Sequence, residues 1–234
     1  MYDKVEWFND QIQFMFHTNI MEYDMNAASL SVAERFKLLP KETIEDLKLL
    51  PKKDRVIKTG LIRRDNKEFS VTVDRKIREV REQFIEENHI TPEQLLSLHN
   101  DAIIFSSKKK IKDCINGIQF KEAMRCTSYM RYTGNIEIFY NEGHITYKGI
   151  PKEMVQQHTF GLTKYLCNVF KYIENYDPKI MKYISRFQKN YLQDQYPEFM
   201  YTPLCTTGSY KLTNLDFLSF VAKVILRERS TWKE

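Results

Sequence analysis

The 234-residue sequence has little of what punctuates loops, with 7 glycines and 7 prolines. That scarcity excludes collagen-like and low-complexity disordered chains, which are rich in both. There is no apolar run of membrane-spanning length, so neither a transmembrane helix nor a membrane partner is expected. The 4 cysteines, Cys114, Cys126, Cys167 and Cys205, form no C-x-x-C pair and have no histidine at zinc-site spacing. They read as reduced thiols, as in a cytosolic protein. The opening MYDKVEWFND is acidic and mixed, unlike a signal peptide, which again points to the cytoplasm. A strong charge of one sign is also lacking. The 36 basic and 31 acidic residues leave +5, which alone defines no partner.

What is present is material for a core. Hydrophobic residues make up 42% of the chain, with 15 Phe and 14 Tyr, enough for one sizeable core or a core domain plus a small helical one. The basic residues are unevenly placed. Residues 51–81 hold eleven Lys or Arg against five acids, an excess of six, larger than that of the whole chain.

Periodicity gives the elements. Thr18 to Tyr23 reads as a short strand running into Asp24. Ala27 to Leu38 and Thr43 to Leu50 read as helices ended by Pro40 and Pro51. Phe69, Val73, Ile77, Val80 and Phe84, at steps of 4, 4, 3 and 4, predict one face of a long helix whose other face carries Arg75, Arg78 and Arg81. Leu95 to Leu98 and Ala102 to Phe105 flank His99-Asn100-Asp101, the pattern of a tight hairpin with a polar tip. Strands follow near 117–120, 128–132, 136–140 and 145–148, with Gly143 suited to a left-handed turn position. After Pro151, helices are expected over 152–175, 178–191 and 214–228, so a domain boundary is expected there. Strands grouped beside helices, without βαβ alternation, predict an α+β fold.

Asp24 and Asp101 each end a predicted strand. Two-metal phosphoryl transfer needs carboxylates that converge from separate segments on ions about 3.5–4 Å apart. At Met21-Glu22-Tyr23-Asp24-Met25-Asn26-Ala27-Ala28-Ser29-Leu30 the sequence resembles the first palm motif of family B DNA polymerases, a strand ending in Asp and turning into a helix. Leu98-His99-Asn100-Asp101-Ala102-Ile103-Ile104-Phe105 resembles the second metal-binding motif, a hairpin. Phe120-Lys121, Tyr129-Met130-Arg131-Tyr132 and Tyr147-Lys148-Gly149-Ile150 resemble the segment that leads to the thumb. The resemblance covers about residues 18–150.

That resemblance implies a palm-like antiparallel sheet with flanking helices over 1–150, a basic finger-like helical insertion at about 40–90, and a helical thumb-like part over 151–234. It implies a template-directed nucleotidyltransferase, of DNA polymerase, primase or RNA polymerase type and of viral or phage origin, working in the host cytoplasm. Asp24 and Asp101 would be catalytic and would hold Mg²⁺ or Mn²⁺. Arg55, Lys58 and Arg63 would steady a nucleoside triphosphate, and Lys121, Arg131 and Lys148 would contact a primer or template backbone.

The sequence departs from the family in three places. His99 stands where the hairpin usually has a first aspartate, with Asn100 between it and Asp101. The family's middle helix motif, with Lys, Asn and Tyr at fixed spacing, is missing; Arg55, Lys58, Arg63, Arg64 and Lys67 occupy that interval. Ser29 lies where the family places a bulky tyrosine against the sugar, which implies tolerance of ribonucleotides. His99 has three candidate roles: metal ligand, donor to phosphate, or packing beside the hairpin. Two further readings of the chain stand beside catalysis. It could be an inactive palm-fold subunit that binds nucleic acid within a replication or transcription assembly. It could also be a structural or interaction protein in which Asp24 caps a helix and Asp101 stabilises a turn.

Overall fold

The computed structural model describes residues 5–132, 135–151, 153, 163–201, 205–207, 210–212, 219, 222 and 223. The order of elements begins with strands β1 (Trp7–Phe8), β2 (Phe14–Met15) and β3 (Ile20–Met25). Helices α1 (Ala28–Arg35), α2 (Lys41–Leu49), α3 (Lys52–Asp65) and α4 (Lys67–Glu87) come next. Strands β4 (Leu95–His99), β5 (Ala102–Ser106), β6 (Cys114–Ile115), β7 (Ile118–Cys126), β8 (Ser128–Arg131), β9 (Glu137–Asn141) and β10 (His144–Lys148) follow. Helices α5 (Lys164–Glu174) and α6 (Ile180–Leu192) and the pair β11 (Cys205–Thr207) and β12 (Tyr210–Leu212) complete them. The fold is α+β, as the grouping of strands and helices predicts. The helix expected over 214–228, and the start of the one expected over 152–175, fall mostly outside the described residues.

The chain forms two compact units. The first contains 1–9 and 20–125, and the second contains 10–19 and 126–234. Sequence character alone changes near Pro151, but packing divides the chain earlier. The reason is that Met130, Ile138 and Tyr140 of β8 and β9 share one apolar cluster with Tyr165, Val169, Phe170 and Ile184 of α5 and α6. Residues 10–19 join that unit through Phe14, which is buried in the same cluster, and through pairing of β2 with β8.

In the first unit the sheet order is β1-β4-β5-β3-β7-β6. The central neighbours are antiparallel, with Asp24 opposite Ala102 and His99 opposite Ala102 on the two sides of β5. Met21, Tyr23 and Met25 alternate along β3 into an apolar cluster with α1, α2 and α4. Alternation therefore turns Glu22 and Asp24 to the other face of the sheet. Helix α4 starts where the Asn66 side chain accepts the Phe69 N–H at 2.9 Å. It buries Phe69, Val73, Ile77, Val80 and Phe84, the stripe its spacing predicts. Arg81 corrects that reading. It was expected on the solvent side with Arg75 and Arg78, yet it is 0% exposed. Successive residues rotate by about 100° around a helix, so Arg81 lies only about 40° from Ile77, within the buried stripe.

The second unit has the sheet order β10-β9-β8-β2. Its core is rich in phenols. Burial raises the pKa of Tyr129, Tyr140, Tyr147, Tyr165, Tyr183 and Tyr196 above the ordinary tyrosine value. A folded-state value above the unfolded one, near 10, stabilises the fold below that pH, and the contribution is lost as pH rises beyond it. Alkaline titration should therefore show delayed tyrosinate absorbance followed by a steep rise that coincides with loss of near-ultraviolet dichroism. Smooth ionisation from pH about 10 with the dichroism unchanged would contradict this.

Candidate functional site

Strand β3 ends in Asp24 and Met25, and the chain must then turn sharply to enter α1. Ala27 makes that turn in the left-handed region, at φ 46° and ψ 49°. The conformation costs a non-glycine residue of order 1 kcal/mol. The Asn26 N–H donates to the Gln119 carbonyl at 2.9 Å, tying the turn to β7. On the other side, the Met25 N–H donates to the Asp101 carbonyl at 3.0 Å. Asp24 and Asp101 are thus neighbours across β3 and the β4–β5 hairpin.

Both aspartates line one cavity of about 450 Å³. That is within the usual range for small-molecule sites, roughly 300–1,000 Å³. Residues 25–30 form one wall, helix α3 contributes Lys52, Arg55, Val56, Thr59, Gly60 and Arg63, and Asn100 and Lys121 complete it. Lys52, Arg55, Thr59 and Arg63 fall at steps of 3, 4 and 4, which puts them on one helix face. Lys52 was missed in the sequence reading, and that spacing is the signal that could have found it. The Lys121 ammonium stands 3.9 Å from an Asp24 carboxylate oxygen, on a side chain 51% exposed.

Arg63 is the most constrained cation of the wall. Its guanidinium donates to Ser29 Oγ at 3.0 Å, to Ser70 Oγ at 3.3 Å and to an Asp74 carboxylate oxygen at 2.5 Å. It therefore links α3 to α1 and α4 and fixes the Ser29 hydroxyl. Arg55 lines the cavity, whereas Lys58 is exposed and lies outside the lining.

Other candidates fall elsewhere. His99 does not line the cavity. Its Nε2 is 3.4 Å from Ser97 Oγ, and its ring meets Phe8 edge-on at 5.5 Å, which matches packing beside the hairpin. Arg131 and Lys148 belong to the second unit. Arg131 was expected to reach a nucleic-acid backbone, but it is buried. Its Nη2 donates to Asp10 at 3.0 Å and its backbone N–H to the Gln13 carbonyl at 2.8 Å, so it holds residues 10–19 to β8. Among the described residues no group of three or more His, Cys, Asp or Glu is placed to hold a metal ion. None of the described helices is long and apolar enough to cross a membrane.

Fold and site define the class as an α+β protein whose antiparallel sheet presents two carboxylates and several cations to one cavity. The chain belongs to the family of the bacteriophage PBS1 gene 130 protein, which it matches over residues 1–227, and so to phage-encoded proteins. No curated protein matches it.

Proposed function

We propose that the first unit is a palm-like, template-directed nucleotidyltransferase that accepts ribonucleoside triphosphates, within a phage replication or transcription apparatus in the host cytoplasm. The observation that carries this reading is the shared cavity, where Asp24 and Asp101 face Lys52, Arg55 and Lys121. Polyanionic substrates need cations for their phosphates and carboxylates for the ions that accompany them.

The donor chemistry fits Mg²⁺ or Mn²⁺. Two carboxylates supply hard oxygens, and such ions complete their shells with water and substrate phosphate. Lys121 would swing away from Asp24 on its half-exposed side chain. When bound, the ions would lower the pKa of an attacking 3′-hydroxyl and stabilise the pyrophosphate that leaves. The chain's own residues do the rest. Lys52 and Arg55 pair with the phosphates. Arg63 keeps Ser29 oriented, and the small Ser29 side chain leaves room for a 2′-hydroxyl. Lys121 contacts the primer or template backbone; Lys148, in the second unit, is a separate candidate for that kind of contact.

The test is primer extension with Mg²⁺ or Mn²⁺, offering ribo- and deoxyribonucleotides separately. Incorporation of both is expected, and absence of both incorporation and triphosphate binding would remove the reading. A second reading, a nucleic-acid-binding subunit without catalysis, is favoured by one contact: a lysine already beside Asp24. Binding without incorporation would select it.

A further inference from the structure

Arg81 is a fully buried arginine that does not line the cavity. Its Nη1 donates to three backbone carbonyls: His99 at 2.9 Å, Asn100 at 3.1 Å and Val5 at 3.2 Å. Two of these belong to the hairpin that carries Asp101. Burial pulls its pKa down to about 10, with Arg78 adding to the fall and Glu82 and Asp101 opposing it. A charged group kept in the interior at such a cost is expected to be paired with well-placed acceptors.

The hairpin itself shows what these bonds do. Two-residue hairpin turns normally place their central residues at positive φ, because that twist matches the flanking strands. Two other hairpins of this chain follow the rule. The turn between Ile115 and Ile118 has Asn116 at φ 50° and Gly117 at φ 76°. The turn between Asn141 and His144 has Glu142 at φ 45° and Gly143 at φ 87°. The turn between His99 and Ala102 departs from it, since neither Asn100 nor Asp101 is among the described residues with positive φ. All three carbonyls at this tip are engaged. Arg81 takes those of His99 and Asn100, and the Met25 N–H takes that of Asp101.

We propose that Arg81 is the positioning residue of the site: its Nη1 group, bonded to the His99 and Asn100 carbonyls, holds the Asn100–Asp101 turn in a conformation the hairpin would not adopt alone, and so presents Asp101 beside Asp24. The consequence for metal binding rests on the nucleotidyltransferase reading; the shaping of the turn does not. Nη1 also donates to the Val5 carbonyl, so the segment before β1 is tied to the same turn.

The test uses NMR on the full chain, comparing wild type with Arg81→Met and Arg81→Lys. Methionine removes the donors, while lysine keeps a charge and a donor but not the fork. In the wild type, Arg81 Nη protons should exchange slowly and show couplings across hydrogen bonds to the His99 and Asn100 carbonyl carbons. In Arg81→Met the Met25 amide should exchange about tenfold faster. The Asn100 and Asp101 resonances should move while those around Val73 stay in place, and Arg81→Lys should restore part of the change. A mobile wild-type guanidinium without those couplings would overturn the proposal. So would a folded Arg81→Met chain with unchanged turn resonances and Met25 protection. Should Arg81→Met not fold, the wild-type couplings decide. Mn²⁺ titration of the same samples separates the two ideas. Wild-type broadening at Asp24 and Asp101 is required by the nucleotidyltransferase reading, and its absence sinks that reading while the couplings still judge the turn. With broadening present, folded Arg81→Met should need about tenfold more Mn²⁺. Equal affinity would remove Arg81 from the site.

Discussion

Asp24→Asn and Asp101→Asn should each lower metal-dependent nucleotide incorporation by about 10²-fold or more while leaving the fold intact. The amide keeps the volume and one acceptor oxygen but loses the negative charge that a divalent ion needs. Asp24 lies at the end of β3 and Asp101 in a turn, so neither substitution removes apolar packing. The loss should fall on kcat, because the ions serve the reacting oxygens. Arg55→Ala, by contrast, should raise the KM for triphosphate. Lys58→Ala is the control: Lys58 is exposed and does not line the cavity, so its rate should be within about twofold of wild type. Unchanged incorporation by both aspartate variants, in protein that folds normally, would eliminate the catalytic proposal.

Phe84→Ala should destabilise the first unit by about 3–5 kcal/mol, the usual cost of deleting a buried aromatic ring. Phe84 is 0% exposed. Its ring lies 4.5 Å from that of Phe120, 5.5 Å from Tyr23 and 6.0 Å from Phe105, measured between centroids. It therefore fastens α4 to β7, β3 and β5 at once. Domains of this size are stable by only about 5–15 kcal/mol, so the variant should be close to unfolding at physiological temperature. Activity should fall with it, because β3 and β5 carry the aspartates at their ends. Val71→Ala, on the same helix but 67% exposed, should stay within about 0.5 kcal/mol. Urea unfolding checks both. A midpoint for Phe84→Ala close to that of Val71→Ala would show that the ring is not a keystone of this core.

The elements were legible where a strong period had no competitor. The Phe69-to-Phe84 stripe buries as spaced, and the Leu95-to-Phe105 pattern forms a hairpin at His99 and Ala102. The αL turn at Gly143 was legible because glycine tolerates that region best. Arg81 was misplaced because a charge was taken as a solvent marker, although its rotation about α4 put it inside. Arg131 was assigned to a nucleic-acid backbone through the resemblance, and no local pattern signalled its burial beside Asp10. Both are arginines, whose planar forks can satisfy several acceptors at once and so tolerate burial better than lysine.

By itself, the sequence determined the α+β class, the long helix that carries Phe69 to Phe84, Asp24 near the end of a strand, and a hairpin with Asp101 at its tip. These follow from local periodicity and turn chemistry, which act over a few residues. Tertiary structure alone decided that the two aspartates share a cavity with Lys52, Arg55 and Lys121. It also decided that the second unit begins at Cys126 and recruits residues 10–19, and that a buried arginine holds the Asp101 turn. Those facts depend on contacts between residues far apart in the chain, where pairing of β3 with β5 and burial of one helix face choose among arrangements that local pattern leaves equal.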